Sequence, residues 1–211
     1  MIKNLAMLVF AAAVLSAGFS QPTKEEVKAL VAAAGKGNAE AQCNLGVIYF
    51  TGEGAAQDIP EAIRLFTAAA EKKNLDAQRN LGWIYRHTEG YLDPKKAAKF
   101  YDMAARQGDA ESQYILGLLY KQGEGLPKND KEAVPWFGKA AAQNYAEAQS
   151  ALGDMYENGK GVAKDKIEAL KWYIVAMKNG DAIADMFIDS IKKGGMSASQ
   201  IAEAEKRAAK L

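Results

Sequence analysis

Residues 39–54 read AEAQCNLGVIYFTGEG, and the chain returns to nearly the same wording at 75–90 (LDAQRNLGWIYRHTEG), 110–125 (AESQYILGLLYKQGEG) and 146–161 (AEAQSALGDMYENGKG). The starts are 36, 35 and 36 residues apart. Self-similarity at a fixed period of this length marks a repeat architecture. With the first residue of each stretch as slot one, slot four is always glutamine (Gln42, Gln78, Gln113, Gln149). Slot seven is leucine, slot eight glycine (Gly46, Gly82, Gly117, Gly153) and slot eleven tyrosine. On a helix that turns about 100° per residue, slots three, four, seven, ten and eleven share one stripe about 120° wide.

A second helical pattern follows each stretch: PEAIRLFTAAAEK, KKAAKFYDMAARQ, KEAVPWFGKAAAQ and IEALKWYIVAMKN. In each, one or two large aromatic residues precede small alanines, the large-against-small pattern by which two helices pack closely. Glycine inside a helix costs about 1 kcal/mol relative to alanine, so the slot-eight glycines predict close approach of that second helix. Asp58 with Glu61 and Asp165 with Glu168 have capping-box spacing, and Asp93 stands before Pro94 as a helix start. The TGEG, QGEG and NGKG segments supply glycine where a helix ends left-handed. Thr88 departs from that pattern and its loop is one residue shorter. Pro135, within the first turns of its helix, predicts a distorted start.

These residues, AEAQxxLGxxYxxGEG followed by EAxxWxxxAA, resemble the Sel1-like repeat family, relatives of the tetratricopeptide repeats. The resemblance covers about residues 25–211. It implies an all-α, right-handed superhelical solenoid of helix-turn-helix repeats with capping half-repeats, whose first helices line a concave surface. The expected organisation is a signal peptide over 1–20, a capping helix in 21–38, four repeats (39–74, 75–109, 110–145, 146–181) and capping helices in 182–211, with Ser197 and Gln200 at capping-box spacing. Arrays of this kind need such ends to cover the exposed core.

The letters that change between repeats fall on the opposite side of the first helix, at slots two, five, nine, twelve and thirteen. There the chain places Phe50, Trp83, Tyr114 and Leu118 beside Arg79, Arg86 and Lys121. Aromatic residues and arginine are the types that binding centres favour. These seven residues are the expected protein- or peptide-binding concave face. The alternative is that they pack against neighbouring helices.

Composition narrows the partners. Residues 1–20, with Lys3 followed by the apolar run Leu5–Leu15 and small residues, have the order of a secretory signal peptide. Export to the periplasm or beyond is the expectation, with an uncleaved anchor as the alternative. Without Lys3, 26 basic residues face 26 acidic ones. That balance argues against nucleic acid and against an electrostatically held membrane protein once the signal is removed. Cys43 is the only cysteine, so no internal disulfide forms, and an intermolecular Cys43-linked dimer is a possibility. His87 is the only histidine, which leaves no His cluster for zinc; no cofactor is expected. A Cys43–His87 dyad fails on distance, since adjacent repeats separate the two by about 12 Å along the helix direction.

One catalytic alternative comes from the resemblance, because a cysteine-rich exported branch of the family is linked to β-lactam binding or hydrolysis. Ser190-Ile-Lys-Lys193 matches the SxxK pattern. The SDN and KTG partner motifs and the regular cysteine pairs of that branch are absent from the chain. The expectation is therefore a non-catalytic scaffold or adaptor.

Overall fold

A computed structural model describes residues 22–211; the segment read as a signal peptide lies outside the described residues. Among the described residues the chain is all-helical, with eleven helices and no strand, as the repeats predict. They form two compact units. The first, ending at Tyr91, holds α1 (Lys24–Gly35), α2 (Ala39–Thr51), α3 (Ile59–Glu71) and α4 (Leu75–His87). The second, Leu92–Leu211, holds α5 (Pro94–Arg106), α6 (Ala110–Gln122), α7 (Asp130–Ala141), α8 (Ala146–Asn158), α9 (Lys166–Lys178), α10 (Ala184–Lys193) and α11 (Ala198–Ala208).

Each invariant letter has a physical reason. The slot-four glutamines are buried and reach back to the preceding helix: Gln42 Nε2 donates to the Ala34 carbonyl at 3.2 Å and Gln78 to Ala70 at 3.1 Å. In the second unit Gln113 donates to Ala105 at 3.1 Å and Gln149 to Ala141 at 3.0 Å. Each bond gives a carbonyl in the last turn of a helix a second donor, beside the N–H of Gly37, Lys73, Gly108 or Asn144 three residues on. The glutamine oxygens accept in turn, from Lys72 Nζ (3.4 Å), Gln143 Nε2 (2.8 Å) and Asn179 Nδ2 (2.9 Å). Lys72 and Gln143 also reach the carbonyls of Gly37 and Gly108. The result is a polar seam stitching each repeat to the one before it.

Slot eight is glycine because an aromatic ring lies on it. A Cβ at Gly117 would sit 2.6 Å from Phe137, one at Gly153 2.6 Å from Tyr173, and one at Gly46 2.9 Å from Phe66. The expected close approach is therefore made by a side chain of the second helix, not by its backbone. Slot eleven contributes its main chain: the carbonyls of Tyr49, Tyr120 and Tyr156 accept from the N–H of the next N-cap, Asp58 (2.8 Å), Asn129 (2.8 Å) and Asp165 (2.9 Å). This alters the expected capping boxes. Asp58 and Asp165 accept from the Glu61 and Glu168 N–H, both at 3.0 Å, but their own N–H groups are already taken by tyrosine carbonyls, so the reciprocal half is not made. Complete boxes occur at the ends instead, Thr23 with Glu26 and Ser197 with Gln200.

Two irregularities resolve differently. At Thr88 the C-cap is extended where Gly52, Gly123 and Gly159 are left-handed, and Tyr91 N–H closes the shorter loop on the Thr88 carbonyl at 3.0 Å. The distorted start predicted at Pro135 is not found: α7 runs unbroken through it. The bond it forgoes would go to Lys131, in the exposed first turn, where water can satisfy the carbonyl.

Candidate functional site

In the first unit the variable side of α2 and α4 divides into buried and presented residues. Cys43 is buried at slot five, its Sγ 3.9 Å from Asn80 Nδ2 of α4. Burial pushes its thiol up to about 12, with nearby Asp76 adding to the effect, so the group stays protonated near neutrality. A covalent dimer through Cys43 needs a surface thiol that this fold does not present. Phe50 is 5% exposed and meets Trp83 edge-on, centroids 5.9 Å apart at 85°. The half-buried Trp83 ring also stacks on His87, 5.1 Å away at 29°, and His87 Nδ1 lies 3.1 Å from the Trp83 carbonyl. Trp83 is thus held between a buried ring and its own helix. Half-buried Arg79, paired with Asp76 at 3.6 Å, and half-buried Arg86 lie one turn to either side.

In the second unit Tyr114 is half-buried against Phe137 (5.9 Å) and Tyr145 (5.3 Å), and Leu118 packs on the same core. Lys121 is not an isolated cation. Its Nζ sits 2.6 Å from Asp154 Oδ2 on α8, with Lys160 on the same oxygen at 3.7 Å. Burial pushes the Asp154 carboxyl up, but the Lys121 hydrogen bond and the two ammonium charges outweigh it and hold the group below the usual carboxylate range. Ser150, buried at slot five, donates to Asp181. Glu157 accepts the Tyr173 hydroxyl at 2.8 Å. The variable sides of α6 and α8 are therefore joined into one face.

The first unit thus leaves Arg79, Trp83 and Arg86 partly open with Phe50 beneath Trp83, and the second unit leaves Tyr114, Leu118 and Lys121 partly open. Outside the seven expected residues, Ile183 and Met186 of the partial fifth repeat are also exposed. A signal was present: slot two is a carboxylate in four repeats and isoleucine in the fifth, partial one.

The Sel1 repeat family is matched at residues 39–74, 75–109, 110–145 and 146–181. The chain belongs to the Sel1 repeat family. Among solved structures, a protective antigen of uropathogenic Escherichia coli displaying an SLR fold is 32% identical with a TM-score of 0.76, covering 87% of this chain and 39% of the antigen. A Sel1 repeat protein from Oxalobacter formigenes is 31% identical with a TM-score of 0.71, covering 96% and 85%. A 46-residue stretch is 44% identical to the DAP3-binding cell death enhancer 1 of Rattus norvegicus; it spans 22% of this chain and only 9% of that protein.

Sel1-repeat proteins generally serve as protein-interaction scaffolds. Among the described residues no group of three His, Cys, Asp or Glu is placed to hold a metal, and no helix is long and apolar enough to cross a membrane. Ser190 is exposed on α10, and Lys193, the other end of its SxxK match, pairs with Asp189 at 3.4 Å. A general base needs to reach the nucleophile's proton at about 3 Å, and this lysine is engaged elsewhere.

Proposed function

We propose that this Sel1-repeat protein is an exported, non-catalytic adaptor that presents the variable sides of its first helices to a protein or peptide. The observation that carries the reading is Trp83. It is a large amphipathic ring, partly open, braced by Phe50 and His87, and flanked by arginines at a slot the repeat leaves free to vary. A ring already fixed in place loses little entropy on binding, which is what makes aromatic residues effective hot spots. Export is supported by the charge, apolar run and small residues of 1–20.

Differential capture tests the adaptor role. Wild type and Trp83→Ala/Arg86→Ala are used as bait on periplasmic extract, with matched circular dichroism confirming that both are folded. A partner retained by wild type and lost by the variant supports the reading; identical retention removes Trp83 and Arg86 from the site. Cell fractionation with N-terminal sequencing of the mature chain tests export, and a cytoplasmic chain that still begins at Met1 ends that part of the proposal.

A further inference from the structure

In the register of the repeat, Ile183 and Met186 occupy slots two and five of the partial first helix α10. Slot two of the full repeats is Glu40, Asp76, Glu111 or Glu147, acids that complement a helix N-terminus. Ile183 instead forms the N-cap of α10 with no side-chain hydrogen bond closing the helix start. It is 53% exposed and Met186 72%, whereas Cys43 and Ser150 at slot five of other repeats are buried. The two are neighbours on the first turn of α10 and leave apolar surface open to solvent, and contiguous exposed apolar surface marks interaction sites.

The surroundings are acidic. Asp181 Oδ1 accepts the Ile183 N–H at 3.0 Å and its other oxygen takes the Ser150 hydroxyl, so the side of α8 that carries Glu147 and Glu157 continues into the patch. Lys121 and Lys160 are both on Asp154, and Lys193 is on Asp189. We infer that the face formed by α8 and the start of α10 docks a basic, amphipathic protein segment. Its apolar side chains cover Ile183 and Met186, and its lysines or arginines meet Asp181, Glu147 and Glu157. The inference rests on the interaction-scaffold reading and adds the chemistry of the partner and the face that takes it.

The full chain is titrated with two fluorescein-labelled synthetic peptides, each about four helical turns long. Both share one leucine stripe; the polar positions are lysine in one and glutamate in the other. The lysine peptide is expected to bind at least about tenfold more tightly. Ile183→Ser/Met186→Ser weakens it about tenfold or more, with an unchanged melting curve because both side chains are at the surface. Glu147→Gln/Glu157→Gln removes most of the difference between the peptides. Equal binding of the two peptides overturns the inference, as does lysine-peptide binding that Ile183→Ser/Met186→Ser leaves unchanged. Partner capture lost only in Trp83→Ala/Arg86→Ala, with no effect at Ile183 and Met186, sinks this inference and leaves the scaffold reading standing.

Discussion

Replacing Gly117 by alanine adds one methyl group where α6 meets α7. Its Cβ would lie 2.6 Å from Cε1 and 2.7 Å from Cδ1 of Phe137, a fully buried ring packed among Ala133, Ala148, Leu152 and Met155. The ring cannot swing clear. Alanine gains about 1 kcal/mol of helix propensity, while overpacking a tight core costs about 1–3 kcal/mol, so the net effect is a loss of about 1–2 kcal/mol at the upper end of that range. Gly138→Ala, in α7 of the same repeat, is the control: no atom lies within 4 Å of the added Cβ, so the propensity gain of about 1 kcal/mol stands alone. For a chain of this size 1 kcal/mol moves the melting temperature by about 2–4 °C. The two variants should therefore melt on opposite sides of wild type, read by circular dichroism and by the urea midpoint at constant slope. Adding Phe137→Leu should reduce the penalty of Gly117→Ala, a coupling that a double-mutant cycle isolates. If Gly117→Ala melts at or above wild type, the account of slot eight is refuted.

The remaining predictions use the same measurements. Ser112 Oγ is buried without a partner, at a slot that is alanine in the other three repeats; Ser112→Ala should stabilise by about 1 kcal/mol. Gln149→Leu removes its bond to the Ala141 carbonyl and the acceptor for Asn179, leaving Ala141 with the Asn144 N–H and Asn179 with a long contact to Asn144 at 3.4 Å, and should lower stability by about 1–2 kcal/mol. A carboxyl whose folded pKa is depressed, such as Asp154, adds stability above its unfolded value near pH 4 and loses it as pH falls through the folded one. Lys121→Met should accordingly destabilise the chain at neutral pH and flatten its response to acid below about pH 4; an unchanged acid limb would remove the bridge from the account. Cys43 should resist a thiol-reactive disulfide reagent at pH 8 until denaturant is added, and sedimentation should be the same with and without reductant.

The repeats made the helices, their order and the buried stripe legible, because invariant letters at helical spacing report packing that recurs at each step. What the spacing could not reveal was the identity of the contacting groups. Slot-four glutamine reads as a polar residue on an apolar stripe, and only the backbone eight residues upstream explains it. Asp58 and Glu61 have the letters of a capping box, yet a tyrosine carbonyl takes the N–H that would complete it. The helical wheel placed Phe50 and Cys43 on the open side of α2, but a wheel describes a lone helix. In the array the neighbouring first helix covers part of that side, burying both residues against α4.

That partial covering changes what it means for the strip to vary. Phe50 with Trp83 and Lys121 with Asp154 are pairs from adjacent repeats, and Tyr114 with Tyr145 and Ser150 with Asp181 join a first helix to the last residue of its repeat, where the next begins. The first two pairs are specific in shape or charge, so a repeat moved to another place in the order would meet the wrong neighbour even though every invariant letter still matched. Lysine opposite serine, or aspartate opposite tryptophan, would leave a half-buried charge without its counterion, and removing one partner of such a pair costs more than the pair contributes. The slots that differ between repeats therefore do two jobs. They constrain the order in which the repeats can stack, and what remains exposed after that pairing is the surface to which the proposed partner would bind.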